Sequence, residues 1–211
     1  MIVTEFRKEY TLAILRRRDL EANPFDQFTK WFSEAAKVVS EPTAMTVATA
    51  NKSGEPSART VLLKCVDERG FIFCTNYESR KGRELAENPH ASLVFYWKEL
   101  ERQVCISGSV RKISAEESEK YFNLRPRGAQ LAAWVSHQSG LINDRSELEK
   151  KFHQMSEKYA DKTIPLPPYW GGFVVAPVTI EFWQGQANRL HDRFCYTRQG
   201  DGGWLIERLS P

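Results

Sequence analysis

The chain has 211 residues, with 30 Lys and Arg against 27 Asp and Glu, and 41% hydrophobic and 12% aromatic side chains. That balance supports a packed core and excludes a disordered chain, a collagen-like repeat and a disulfide-dense miniprotein. A net charge of +3 does not make polyanion binding the default, so function turns on where the cations cluster.

Residues 1–24 form an N-terminal segment. Its apolar run 11–15 is too short for a signal-peptide core, and Glu5, Glu9 and Asp19 speak against a transit peptide. Arg16-Arg17-Arg18 could meet a ligand, a partner or water. Phe25, Phe28, Trp31, Phe32, Ala35, Ala36 and Val39 recur at helical spacing and predict an amphipathic helix over 25–39, ended by Pro42. Runs rich in β-branched and aromatic residues follow at 43–50, 59–66 and 71–75. Gly54-Glu55-Pro56 and Asp67-Glu68-Arg69-Gly70 punctuate them, which predicts an antiparallel meander.

Further strands are expected at 91–97, 103–113, 172–183, 193–198 and 204–209. Helices are expected at 79–87, at 114–124 behind the capping box Ser114-Ala115-Glu116-Glu117, and at 146–159. Strands and helices do not alternate regularly, so a mainly β fold, a barrel with peripheral helices, is favoured over a doubly wound sheet. Residues 25–211 read as a single domain. Cys65, Cys74, Cys105 and Cys195 each fall in a predicted strand without a Cys or His at ligand spacing, so buried free thiols are expected rather than a metal site. Reduced thiols, no export signal and no membrane-length apolar run point to the cytosol.

Four clusters carry the chemistry. In Ser79-Arg80-Lys81, a capping serine puts two cations in a first turn, where the helix dipole disfavours them. A bound phosphate resolves the conflict, and two solvated cations at a small cost explain it equally well. In the strand Arg59-Thr60-Val61-Leu62-Leu63-Lys64, alternation puts the terminal cations on opposite faces, as ordinary surface charges or as contacts to different anions. In Arg189-Leu190-His191-Asp192-Arg193, an extended chain puts Arg189, His191 and Arg193 on one face, a repulsive arrangement unless a ligand lies against it. Trp183 and Gln184 nearby suit a planar one. Tyr121 and Arg125 stand one helical turn apart before Pro126, as a phosphate clamp or as a Tyr packed on an Arg stem. Hydrolase, P-loop and dinucleotide motifs are missing. Two phosphate-bearing planar molecules account for these clusters better than one. A barrel that binds single-stranded nucleic acid remains a rival reading, and predicts a colourless protein with steep salt dependence.

Taken in order, Arg59–Lys64, Thr75-Asn-Tyr-Glu-Ser-Arg-Lys81, Ser92-Leu-Val-Phe-Tyr-Trp97, Glu101-Arg-Gln-Val104, Tyr121-Phe with Arg125-Pro-Arg127, Val135-Ser-His-Gln-Ser139, Trp170-Gly-Gly-Phe173, Glu181-Phe-Trp-Gln-Gly185 and Arg189–Arg193 resemble the pyridoxine/pyridoxamine 5′-phosphate oxidases, from about Arg7 to Pro211. The resemblance implies an FMN-binding split β-barrel and a homodimer with FMN at the interface. It also implies oxidation of pyridoxamine or pyridoxine 5′-phosphate to pyridoxal 5′-phosphate, with O₂ as acceptor and H₂O₂ as product. By motif, FMN is held by Arg59, Thr60, Val61, Leu62, Leu63, Lys64, Cys74, Thr75, Arg80, Lys81, Gln103, Gln138, Ser139, Trp183 and Arg193. Substrate meets Lys64, Tyr121, Arg125, Ala129, Arg189, Leu190 and His191, with Arg7 and Tyr10 in an N-terminal lid and Arg189 and His191 as the catalytic pair. Where that family generally has a serine reaching the substrate phosphate, this chain has Ala129. A flavin reductase on the same barrel is the enzymatic rival, and the Tyr121/Arg125 clamp and the Arg189–Arg193 face speak against it.

Overall fold

A computed structural model describes residues 9–211. Its strands are β1 (Ala44–Ala50), β2 (Pro56–Asp67), β3 (Gly70–Asn76), β4 (His90–Trp97), β5 (Arg102–Lys112), β6 (Trp170–Gln184), β7 (Asp192–Arg198) and β8 (Trp204–Leu209). They hydrogen-bond in the order β3-β2-β1-β4-β5-β6-β7-β8, and β3 also pairs antiparallel with β6, so six strands close into a barrel. Among the described residues there are five α-helices: α1 (Pro24–Val38) ahead of β1, α2 (Arg80–Glu87) between β3 and β4, and α3 (Ala115–Asn123), α4 (Arg127–Val135) and α5 (Arg145–Lys158) between β5 and β6. The expected mainly β architecture is therefore the observed one, with a meander at β1–β3.

The chain divides into two compact units, 1–47 with 92–108 and 177–211, and 48–91 with 109–176. In the first, α1 starts at Pro24 behind the Asn23 cap. It buries Phe28 against Phe95 with centroids 5.1 Å apart, and Trp31 edge-on against Phe182 at 5.2 Å. In the second, Phe122, Leu131, Ile164 and Trp170 form one core cluster, and Ile72, Ile113 and Val174 another. Gly70 opens β3 at φ 137°, and a Cβ there would fall 1.9 Å from the Val175 carbonyl oxygen, so only glycine fits this close strand approach.

Three expectations about the elements themselves need correction here. Helix α4 was not anticipated, because its start carries no capping side chain: Pro126 takes the cap position without a side-chain hydrogen bond. The four cysteines lie on strands but are half-buried rather than buried. Segment 189–191 is not extended, since Ala187–Arg189 form a 3₁₀ turn with Asn188 at φ 55° and Arg189 at φ 62°.

Candidate active site

The second unit holds a cavity of about 1040 Å³, whose walls include Arg59, Thr60, Val61, Leu62 and Lys64 of β2, Cys74 and Thr75 of β3, and Arg80 and Lys81 of α2. Tyr121, Arg125, Ala129, Gln138, Ser139 and Trp170 also line it. Two cation groups stand in this one space. Leu63, expected among the lining residues, is turned into the core instead and is 7% exposed. Alternation does put Arg59 and Lys64 on opposite faces of β2, but the cavity takes residues from both faces of the strand, Thr60 and Leu62 as well as Arg59 and Val61, so both cations line it.

The first group is built on the start of α2. Ser79 caps the helix, its hydroxyl accepting the Gly82 N–H at 3.3 Å, and the Arg80 N–H donates to Ser139 Oγ at 3.2 Å. Lys81, 6% exposed, donates to Thr75 Oγ1 and Gln138 Oε1 at 3.1 Å each and to Ser79 Oγ at 3.4 Å, all neutral acceptors. Burial first and the Arg59 charge second depress its ammonium to about 8, against a smaller pull from Glu84. Arg59 donates to Thr49 Oγ1 at 2.6 Å and to Ser57 Oγ. Glu84 accepts from Arg80 Nε at 2.8 Å. Burial works to raise its carboxyl, and hydrogen bonds from Ser57, Thr49 and Arg80 overcome this and hold it near 2. Three cations against one carboxylate leave the group net positive, and a buried ammonium resting on neutral oxygens suits an added anion.

The second group is Lys64, Tyr121 and Arg125. Helix α3 ends at Asn123, so Arg125 lies beyond the helix and not one turn along it. It nonetheless reaches the same cavity as Tyr121, its guanidinium 4.9 Å over the Trp170 ring with one nitrogen donating to the Ala129 carbonyl at 2.9 Å. Burial lowers its pKa, with Cys74 opposing. Burial likewise lifts the Cys74 thiol to about 12, against the pull of Lys64 and Arg125, so it stands protonated beside them. Arg127 is turned away, donating to the carbonyls of Tyr159, Ala160 and Lys162 after α5.

The remaining residues singled out by sequence lie in the first unit. Trp183 and His191 pack with ring centroids 4.6 Å apart, and Tyr10 meets them edge-on at 5.6 and 5.8 Å. A Cβ on Gly185 would lie 2.6 Å from the Tyr10 ring, so the glycine makes room for this contact. The segment after Tyr10 is pinned by Glu101, whose carboxylate accepts the N–H groups of Thr11 and Leu12 at 2.9 and 3.1 Å, and by Asp192, which accepts that of Leu15. The Gln186 N–H donates to His191 Nδ1 at 3.1 Å, which places the neutral ring's proton on Nε2. Burial and then the Arg189 charge lower the His191 pKa. Arg193 does not join a bare cationic face: Glu181 takes its guanidinium at 2.7 and 3.0 Å. Gln103 sits on β5, its amide donating to Cys105 Sγ at 3.2 Å, and Leu190 is exposed. Arg7 lies outside the described residues.

Sequence reading missed Thr49, Ser57, Glu84 and Glu181, the neutral and acidic groups that hold the cations. Their only signal was a carboxylate four residues after Arg80 on a helix, a pattern shared by many solvated faces.

A closed split barrel with this cation-walled cavity defines the class, the FMN-binding split barrels. A solved pyridoxamine 5′-phosphate oxidase-related, FMN-binding protein of Nostoc punctiforme has this fold, with a TM-score of 0.73 at 17% identity over 91% of this chain and all of its own. The family model described as pyridoxamine 5′-phosphate oxidase matches residues 32–159, and that of the pyridoxine 5′-phosphate oxidase C-terminal dimerisation region matches 170–211. The pyridoxine/pyridoxamine 5′-phosphate oxidase of Nostoc punctiforme is 55% identical over 210 residues, 99% of this chain and 98% of its own, and that of Crocosphaera subtropica is 55% identical over the full length of both. The solved PhzG of Burkholderia lata, in complex with tetrahydrophenazine-1-carboxylic acid, superposes with a TM-score of 0.89 at 33% identity, covering 95% and 99% of the two chains. The chain belongs to the pyridoxine/pyridoxamine 5′-phosphate oxidase family, and FMN is the cofactor that this membership assigns to it.

Proposed function

We propose that the protein oxidises pyridoxine or pyridoxamine 5′-phosphate to pyridoxal 5′-phosphate, using FMN and O₂ and releasing H₂O₂, with water taken up and ammonia released when the substrate is the amine. The observation that carries this reading is the pair of cation groups in one cavity of about 1040 Å³, room for two planar phosphate-bearing molecules. Arg59, Arg80 and Lys81, with Thr75, Gln138 and Ser139, hold the cofactor phosphate. Lys64, Tyr121 and Arg125 hold that of the substrate. FMN, when bound, takes up the two electrons lost at the substrate C4′ carbon and passes them to O₂.

The protein's part is to bind and orient. Fixing both phosphates sets the substrate ring against the flavin, which accounts for much of the rate advantage such a site can offer. Arg189 and His191 of a second copy cover the substrate ring, and His191 presents Nε2–H as a donor. The working form is a homodimer, in which Gln103, Trp183 and Arg193 of a second copy complete the flavin site. The match of residues 170–211 to a dimerisation region supports this.

The test is direct. The purified protein is expected to be yellow, and pyridoxine 5′-phosphate without oxygen is expected to bleach it. Readmitted air should then restore the colour and yield one H₂O₂ per aldehyde formed. A yellow protein that this substrate leaves oxidised would overturn the reading.

A further inference from the structure

Glu84 lies at the centre of the first cation group, 5% exposed, on the second turn of α2. Its Oε1 accepts from Arg80 Nε at 2.8 Å. Its Oε2 accepts the hydroxyls of Thr49 on β1 and Ser57 on β2, and stands 3.5 Å from the terminal nitrogen of Arg59. Those same hydroxyls accept from the Arg59 guanidinium. Each hydroxyl therefore accepts a hydrogen bond from the arginine and donates its own to Oε2, and Glu84 accepts at both oxygens, from these hydroxyls and from Arg80, only when it is ionised. A carboxylate beside an anion site would ordinarily weaken it. Here both oxygens are occupied by hydroxyls and guanidinium groups, and three cations still outnumber it.

We propose that Glu84 is the positioning residue of the phosphate site, an internal carboxylate that fixes Arg59 and Arg80 in place for the anion without touching it. The inference rests on the assignment of this group to the FMN phosphate. Both arginines have long, freely rotating side chains, and orienting them in advance removes an ordering cost that binding would otherwise bear. The same ring ties α2 to β1 and β2, so the geometry of the helix start and that of the Arg59 strand are set together.

The test compares FMN with riboflavin, which lacks the phosphate, on the apoprotein by flavin fluorescence. Glu84→Gln keeps the shape but cannot accept at both ends. It is expected to weaken FMN about tenfold while riboflavin stays within about twofold. Unchanged or tighter FMN binding would show the carboxylate to be a mere competitor for the cations, and an equal loss for both flavins would show a structural role only; either result overturns the proposal. If Glu84→Gln does not fold, Ser57→Ala and Thr49→Val remove the two hydroxyl relays singly and are expected to give the same phosphate-selective loss. Lys81→Ala separates the two levels of inference. A selective loss there without one in the Glu84 or relay variants defeats the role of Glu84 alone, whereas no selectivity at Lys81 defeats the phosphate assignment itself.

Discussion

Arg193 and Glu181 form a two-point ion pair across β6 and β7, Nε to Oε1 at 2.7 Å and the second nitrogen to Oε2 at 3.0 Å. The third arm of the guanidinium donates to the Ser210 carbonyl at 2.9 Å. Arg193 is therefore held in one orientation before any ligand reaches it. Glu181→Gln should break the two-point geometry and leave the arginine mobile. Because the pair is partly exposed, the stability cost should be about 1 kcal/mol or less. The cost to FMN retention should be larger, about tenfold in Kd. Dilution of the holoprotein with flavin fluorescence as readout measures it, and full retention would count against the assignment of Arg193 to the cofactor.

Lys81 predicts a pH dependence of cofactor binding. In the free site its ammonium titrates at about 8, depressed first by burial and then by Arg59. A phosphate dianion beside it raises that value. Well below pH 8, and above the phosphate's own second pKa of about 6, the lysine is protonated with or without ligand and affinity is flat. Above pH 8 the free site loses its proton first, so FMN affinity falls as pH rises, by at most about tenfold per pH unit. The ligand-free fold shows the opposite trend. Its lysine binds fewer protons than the unfolded chain between about 8 and 10.5, so this group adds stability as pH climbs through that window. Riboflavin affinity should show no such break, and a Lys81→Met variant should lose both trends.

Much of the fold was legible because single residues dictated it locally. The Phe28/Trp31/Ala35 stripe marked α1, and Ser79 and Ser114 marked the starts of α2 and α3, where both hydroxyls do accept a backbone N–H of the first turn. Helix α4 was missed because Pro126 offers no capping oxygen and Gly128 weakens the local signal. At the candidate site the cations were legible as charge out of place, at Arg80 and Lys81. Their counter-charges were not, because Glu84 and Glu181 meet Arg59 and Arg193 through strand register and helix docking. The turn at Asn188 and Arg189 escaped for a related reason, since no glycine marks its left-handed backbone.

His191 and Arg189 make a paired prediction. Burial and the Arg189 charge both lower the His191 pKa, so the ring is neutral at pH 7, with Nδ1 accepting from the Gln186 N–H. Arg189→Ala removes the second cause and should move the titration of His191 upward, toward that of an ordinary imidazole, as followed by ring nitrogen chemical shifts. The same variant, and His191→Ala, should slow single-turnover flavin reduction by roughly 10²-fold or more. Unchanged reduction in both would remove the pair from the chemistry.

Ala129 bears on how strongly substrate is held. It lines the cavity beside Tyr121 and Arg125, its methyl standing where the family resemblance leads one to expect a hydroxyl. Arg127 cannot replace the missing donor, because its guanidinium is committed to the carbonyls of Tyr159, Ala160 and Lys162. On the proposed assignment, the substrate phosphate would therefore depend on Lys64, Tyr121 and Arg125 together with water. A hydrogen bond to a charged group contributes about 1.5–3 kcal/mol, and water recovers part of it. Ala129→Ser should accordingly lower the KM for pyridoxine 5′-phosphate by about tenfold. Because the added hydroxyl meets the phosphate and not the reacting carbon, kcat should change little. Steady-state kinetics on both forms decide the matter: a KM that does not fall would mean that the three remaining donors already saturate the phosphate, and a fall in kcat would mean that the hydroxyl displaces the ring from its position against the flavin.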